Sequence, residues 1–86
     1  MPTISVFYGI VVRMFFDEHA PPHFHVEYGE YKAVFDIKTL VLTDGDFPRR
    51  AQSLVLDWSK LHQRELLENW ELCRLHLEPR KIEPLR

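Results

Sequence analysis

One cysteine, three glycines and no excess of positive charge limit what these 86 residues can be. Cys73 has no partner in the chain, which excludes an intrachain disulfide and any zinc site built from several thiolates, and fits a reducing compartment. Its expected place is the core, as a small hydrophobe. Gly9, Gly29 and Gly45 are scattered singly among six prolines, so there is no low-complexity linker and disorder is expected only at the ends. No apolar run approaches the roughly 18 residues of a membrane span, and Met1-Pro2-Thr3 does not open an export signal. The expectation is a cytoplasmic protein with no membrane partner. A formal net charge of −2 offers no footprint for a phosphate backbone, so DNA is not an expected partner and RNA would need a local basic patch.

What is present reads as one α+β domain over residues 1–78, followed by a loose tail over 79–86 that carries Pro79 and Pro84. From Ile4 to Phe16 the chain is almost wholly apolar, with Arg13 its single charge, which predicts one largely buried strand bulged at Gly9. His23 to Tyr28 alternates: Phe24, Val26 and Tyr28 share one face, His23, His25 and Glu27 the other. Gly29-Glu30 then has the form of a two-residue type II′ hairpin loop leading into a strand from Tyr31 to Lys38. Such a loop fixes the register. Tyr28 faces Tyr31, Glu27 faces Lys32, Val26 faces Ala33, His25 faces Val34, Phe24 faces Phe35 and His23 faces Asp36.

Thr39 to Thr43 adds a short apolar run, ended by a turn at Asp44-Gly45-Asp46. From Pro48, as first helical residue, to about Leu77 there is neither glycine nor proline, which predicts helix. Its apolar face shifts: Ala51, Leu54, Val55, Trp58 and Leu61 form one stripe, and Leu66, Trp70, Cys73 and Leu77 another, about 90° away. Either the helix breaks near Lys60 to His62, or its distal half leaves the sheet and offers Leu66, Leu67 and Trp70 to a partner. The expected fold is a three- or four-stranded antiparallel sheet packed against a long or kinked C-terminal helix.

Several matches run along the whole chain: Pro2-Thr3-Ile4, Phe7-Tyr8-Gly9-Ile10, Met14, His19, Pro21-Pro22-His23-Phe24-His25, Tyr28-Gly29, Pro48 with Arg50, and Val55, Trp58, His62, Glu65-Leu66 and Trp70. With these residues the chain resembles the bacterial family called domain of unknown function 4160, the Pro-Pro-His-Phe-His core being the most specific part. The resemblance implies a small bacterial protein encoded beside a second small protein, in a pair that looks like a toxin–antitoxin module.

The chemistry concentrates between Asp17 and His25, which holds three of the five histidines. His23 and His25 lie about 6.6 Å apart on one strand face, and His19 can reach them across the Pro-Pro turn. Three imidazoles suit a divalent metal, with Asp17, Glu27 or Asp36 as a further ligand or orienting group. The same histidines suit acid–base chemistry near neutral pH. Otherwise they only brace the turn or edge a protein interface. Arg49 and Arg50 oppose the dipole of the helix they open, so either Asp44 and Asp46 compensate them or Arg50 helps to hold a phosphate at the helix N-terminus. Trp58 and Trp70 read as core or interface aromatics, and Ser5 and Ser53 lack the surroundings of a nucleophile.

The leading expectation is one component of a toxin–antitoxin-like pair acting through a protein partner, as a metal-independent ribonuclease with His23 or His25 as acid or base and Arg50 on the phosphate. The alternatives are a non-catalytic homo- or heterodimer module with Leu66, Leu67 and Trp70 exposed, and a metal-binding protein ligated by His19, His23 and His25.

Overall fold

A computed structural model describes residues 2–86. The chain opens with a β-hairpin: β1 (Thr3–Phe7) pairs antiparallel with β2 (Ile10–Arg13). The single strand expected from Ile4 to Phe16 is therefore two strands. Tyr8 and Gly9 turn the chain with φ of 50° and 80°, the two successive left-handed residues of a type I′ loop. Tyrosine in that conformation is uncommon, so an unbroken apolar run concealed the turn.

β3 (His23–Tyr28) and β4 (Tyr31–Asp36) form the second hairpin in the predicted register, from Tyr28 opposite Tyr31 to His23 opposite Asp36. Gly29 has φ of 58° while Glu30 stays at negative φ, as a type II′ loop requires. β5 (Leu42–Asp46) completes a five-stranded meander in the order β1-β2-β3-β4-β5. Asp44-Gly45-Asp46 lies in this strand instead of ending it; the chain reverses just before, where Leu40 takes a φ of 59°. Gly45 allows the placement. A Cβ there would lie 2.2 Å from the Lys32 carbonyl oxygen, so only glycine lets β5 close against β4.

The helical half is α1 (Arg49–Leu61) and α2 (Gln63–Arg74), separated by His62 at φ −124°. Pro48 stands at the cap position, one residue before the helix. The break answers the shifted stripe. Ala51, Val55 and Trp58 of α1 and Leu66, Trp70 and Cys73 of α2 are all buried in one core with Phe24, Val26 and Phe35 of the sheet and Ile37 just beyond β4. Leu66 and Trp70 thus form no exposed patch, and Leu61 and Leu77 are the stripe members left in solvent. Ser59 hydrogen-bonds back to the Val55 carbonyl at 2.7 Å, a contact that loosens a helix just where this one ends. Gln63 donates to the Ile37 carbonyl at 2.7 Å and fixes the start of α2 on the end of β4.

The tail corrects a further expectation. Residues 79–86 are docked, not loose. Asn69, fully buried, both donates to the Arg80 carbonyl and accepts from the Arg80 amide, at 2.9 and 2.8 Å. Ile82 is buried and its amide donates to the Ile4 carbonyl at 2.8 Å, while the Trp58 indole donates to the Glu83 carbonyl at 2.8 Å. Prolines stop helix but do not prevent an extended segment from covering a sheet edge. Here the segment shields β1; the other edge, β5, is short, bulged and acidic, so neither invites another strand.

Candidate functional site

With helices on one face, the other face of the sheet is open. Across it, Arg13, His25, Val34 and Asp44 occupy facing positions on β2 to β5, flanked by the row of Val11, Glu27, Lys32 and Asp46 and by His23 opposite Asp36. Two adjacent depressions lie here. One of about 430 Å³ is lined by His19, Pro21, His23, His25, Asp36 and Asp44, among others. Its neighbour of about 390 Å³ includes Phe15, Glu27 and Lys32, and the two share His25, Val34 and Asp44.

Beyond β2 the chain folds back over this face. Phe15 sets its ring edge-on to His25 at 4.5 Å between centroids, Asp17 turns with φ of 59°, and Glu18 enters between the two histidines. A Glu18 carboxylate oxygen is hydrogen-bonded to His25 Nε2 and lies 3.3 Å from His23 Nε2. The ligating atoms of Glu18, His23 and His25 all fall within 4.8 Å of one another. All three side chains are largely withdrawn from solvent, His23 most of all at 16% exposure.

His23 is held on two sides. Its Nδ1 donates to the Pro21 carbonyl at 2.8 Å, and its ring lies 5.0 Å from that of Trp70 on α2. A carbonyl oxygen can only accept, so Nδ1 carries the proton and the neutral ring has a bare lone pair at Nε2. That lone pair faces the Glu18 carboxylate. Burial pushes the Glu18 carboxyl pKa up, but the hydrogen bond and charge of His25, with those of His23, outweigh it and hold the group below its ordinary value. Glu18 is therefore an anion that accepts the Nε2–H of His25 and faces the Nε2 lone pair of His23, which leaves the cluster electrostatic room for a metal cation.

The carboxylates expected to serve the histidines are engaged elsewhere. Glu27 is 3.2 Å from Arg13 Nε, an ion pair without good hydrogen-bond alignment. Asp17 pairs with His76 at 2.8 Å. Asp36 accepts from the backbone amides of Thr39 and Lys38 at 2.8 and 2.7 Å; the Thr39 amide chiefly, opposed by burial and helped by Lys38, keeps its pKa low. Its carboxylate caps the turn into β5 even though Asp36 faces His23 across the ladder.

His23 and His25 thus meet as expected, while His19 is exposed beside them, lining the depression without joining the cluster. Arg50 is elsewhere. It is exposed at the start of α1, beyond the end of β5 where Asp46 faces Lys32; Glu27, opposite Lys32, is four residues along β3 from His23, roughly 13 Å at the rise of a strand. The joint base-and-phosphate clamp is not assembled. Neither Arg49 nor Arg50 makes an ion pair among the described residues, with Asp44, Asp46 or any other carboxylate.

The residue that sequence reasoning missed is Glu18. Its signal was position: the loop holding it must turn back to deliver Pro21-Pro22 and His23 to β3, which carries its carboxylate over the strand it precedes. Cys73 is buried, and burial raises its thiol pKa, as suits an inert core residue. His62 at the helix break bonds Glu65 at 2.5 Å, the pairing of a residue before a helix with its third position.

No helix of the described residues is long and apolar enough to cross a membrane. No curated protein and no solved structure matches the chain significantly. The family model of the domain of unknown function DUF4160 matches residues 9–71, a span that contains Glu18, both clustered histidines and most of both helices. The chain belongs to this family of proteins carrying a domain of unknown function, DUF4160.

Proposed function

We propose that this protein binds a divalent metal ion through Glu18, His23 and His25 and acts with it on a ligand in the groove of the open sheet face. The carrying observation is the His23 ring: with Nδ1 committed to the Pro21 carbonyl, its Nε2 lone pair converges on one Glu18 oxygen with His25 Nε2, which would give up the proton it donates to Glu18 when an ion enters. A backbone carbonyl on the far nitrogen is the usual outer partner of a metal-ligating histidine, fixing tautomer and ring orientation. Two imidazoles and one carboxylate suit zinc or another first-row divalent ion and leave coordination positions for water or substrate. Such an ion supplies Lewis acidity and an activated water. Asp36 and Asp44 beside the cluster favour a cation there.

Metal analysis of untagged protein and calorimetric titration with Zn²⁺ test this reading. One ion per chain is expected, with binding lost in Glu18→Ala, His23→Ala and His25→Ala and kept in His19→Ala and Arg50→Ala. Metal-free protein that takes up no Zn²⁺ at micromolar concentration would overturn it.

A second reading draws on the same shared carboxylate. His23 and His25 could act as an acid–base pair on RNA, within a toxin–antitoxin-like pair of proteins. The distance of Arg50 and the net negative charge count against it. RNA cleavage that persists in a chelator and disappears in His23→Ala would favour this reading over the first.

A further inference from the structure

Resting on the metal reading, we infer that His76, beyond the end of α2, is a positioning residue for the site because it sets where Glu18 stands. The three ligands are not equally supported. His23 and His25 belong to β3, a strand paired on both sides, whereas Glu18 hangs on the loop between Met14 and Pro22. The two residues just before it are both held by one side chain. His76 Nε2 pairs with Asp17 Oδ1 at 2.8 Å, and the His76 ring stacks on Phe16 with centroids 6.0 Å apart and planes inclined by 21°.

Both ends of this contact lie at left-handed turns, Asp17 with φ of 59° and His76 with φ of 60°, so each is an abrupt corner aimed at the other. His76 owes its place to the closure of α2: the Leu75, His76 and Leu77 amides bond back to Leu72, Cys73 and neighbouring carbonyls. The same helix backs His23 with Trp70. One helix therefore supports the cluster at two points, a buried one behind His23 and an exposed one beside Glu18. The exposed contact can be removed without disturbing the core, since His76 and Asp17 are 61% and 70% exposed.

The test uses Co²⁺ as probe on the full chain, reading both affinity and the visible absorption bands, which report the ligand set. Wild type, Glu18→Ala, His76→Ala, His76→Gln and the double variant Glu18→Ala/His76→Ala are compared. His76→Ala is expected to weaken Co²⁺ binding about tenfold, the lower end for loss of an outer-shell partner, and to shift the bands toward those of Glu18→Ala. His76→Gln, which keeps an N–H donor for Asp17, should recover much of the affinity. In the Glu18→Ala background, His76→Ala should have no further effect. Metal-free thermal stability should be the same in wild type and His76→Ala, which separates positioning from general loosening. Unchanged affinity and bands in His76→Ala, with wild type binding normally, would overturn this inference and leave the metal centre standing. Absence of Co²⁺ binding by wild type would remove both.

Discussion

Replacing Asn69 by alanine and Ile82 by alanine, singly and together, probes whether the C-terminal segment is one cooperative element. Asn69→Ala removes two neutral hydrogen bonds to the Arg80 backbone, at roughly 1 kcal/mol each, so about 2 kcal/mol is expected. Ile82 is 4% exposed and packs against the core from its margin, so truncation should cost about 2 kcal/mol, the low end for a buried isoleucine. The two sites anchor the same eight residues, and either change weakens the segment that the other anchor holds. The double variant should therefore lose less than the sum, about 3 kcal/mol instead of about 4, a coupling of the size seen for residues sharing one structural unit. For a domain of this size each kilocalorie moves the melting temperature by roughly 4 to 8 °C, so the singles should melt about 8 to 16 °C below wild type. Urea unfolding followed by tryptophan fluorescence is the direct assay, because the Trp58 indole bonds to Glu83 in the same segment. Single effects below about half a kilocalorie would mean that the tail is loose in solution; strict additivity would mean that it is held at independent points.

Two further perturbations address the sheet and the acid limb. Gly45→Ala would place a methyl group 2.2 Å from the Lys32 carbonyl oxygen at a φ of 86°, so chemical denaturation should show a loss of at least about 2 kcal/mol. Gly9→Ala, which meets only the Tyr28 ring at 3.3 Å, should cost less, and the reverse order would refute the tight β4–β5 approach. Glu18 has a pKa lowered below its ordinary value near 4.5, so its carboxylate contributes stability that is present above that value and lost as the pH falls through the folded-state pKa. Melting temperatures measured between pH 2 and 6 should fall less steeply in Glu18→Gln than in wild type; parallel curves would deny that Glu18 is held as an anion.

The parts of this fold that could be read from the sequence are those where a period and a turn agree. The β3–β4 hairpin is one: alternation from His23 to Tyr28 together with Gly29 admits one register, and that register holds at every pair. The helix break is another, because the stripes led by Trp58 and by Trp70 cannot both face one sheet on a straight rod. The first hairpin escaped because every residue of its turn region except Gly9 is compatible with a buried strand, and Tyr8 adopts a left-handed turn that its side chain does not favour. Burial of the tail escaped for a different reason. Its anchor is Asn69, a polar residue within a helix whose partner is the backbone of Arg80, and no pattern of side chains announces a backbone partner. At the site, periodicity placed His23 and His25 together but could say nothing of a loop that returns over them. It therefore named Asp36, the carboxylate opposite His23 in the ladder, and missed Glu18, which occupies the space above it.

The His23 half of the chemical case turns on one proton, and its position can be observed. A free neutral imidazole in water favours the tautomer with hydrogen on Nε2; the Pro21 carbonyl, 2.8 Å from Nδ1 of His23, reverses that preference. The reversal matters because only the Nδ1–H form leaves Nε2 able to accept, and Nε2 is the atom directed at Glu18. In ¹⁵N-labelled, metal-free protein at alkaline pH, long-range ¹H–¹⁵N correlation should show a protonated Nδ1 and an unprotonated Nε2 on His23. Adding Zn²⁺ should then move the His23 Nε2 resonance strongly while its Nδ1 proton persists. A neutral His23 carrying its proton on Nε2 would make that atom a donor to Glu18 and leave no lone pair there for any cation. The cluster would then be a structural bridge between a loop and a strand, and Glu18 would serve the fold alone.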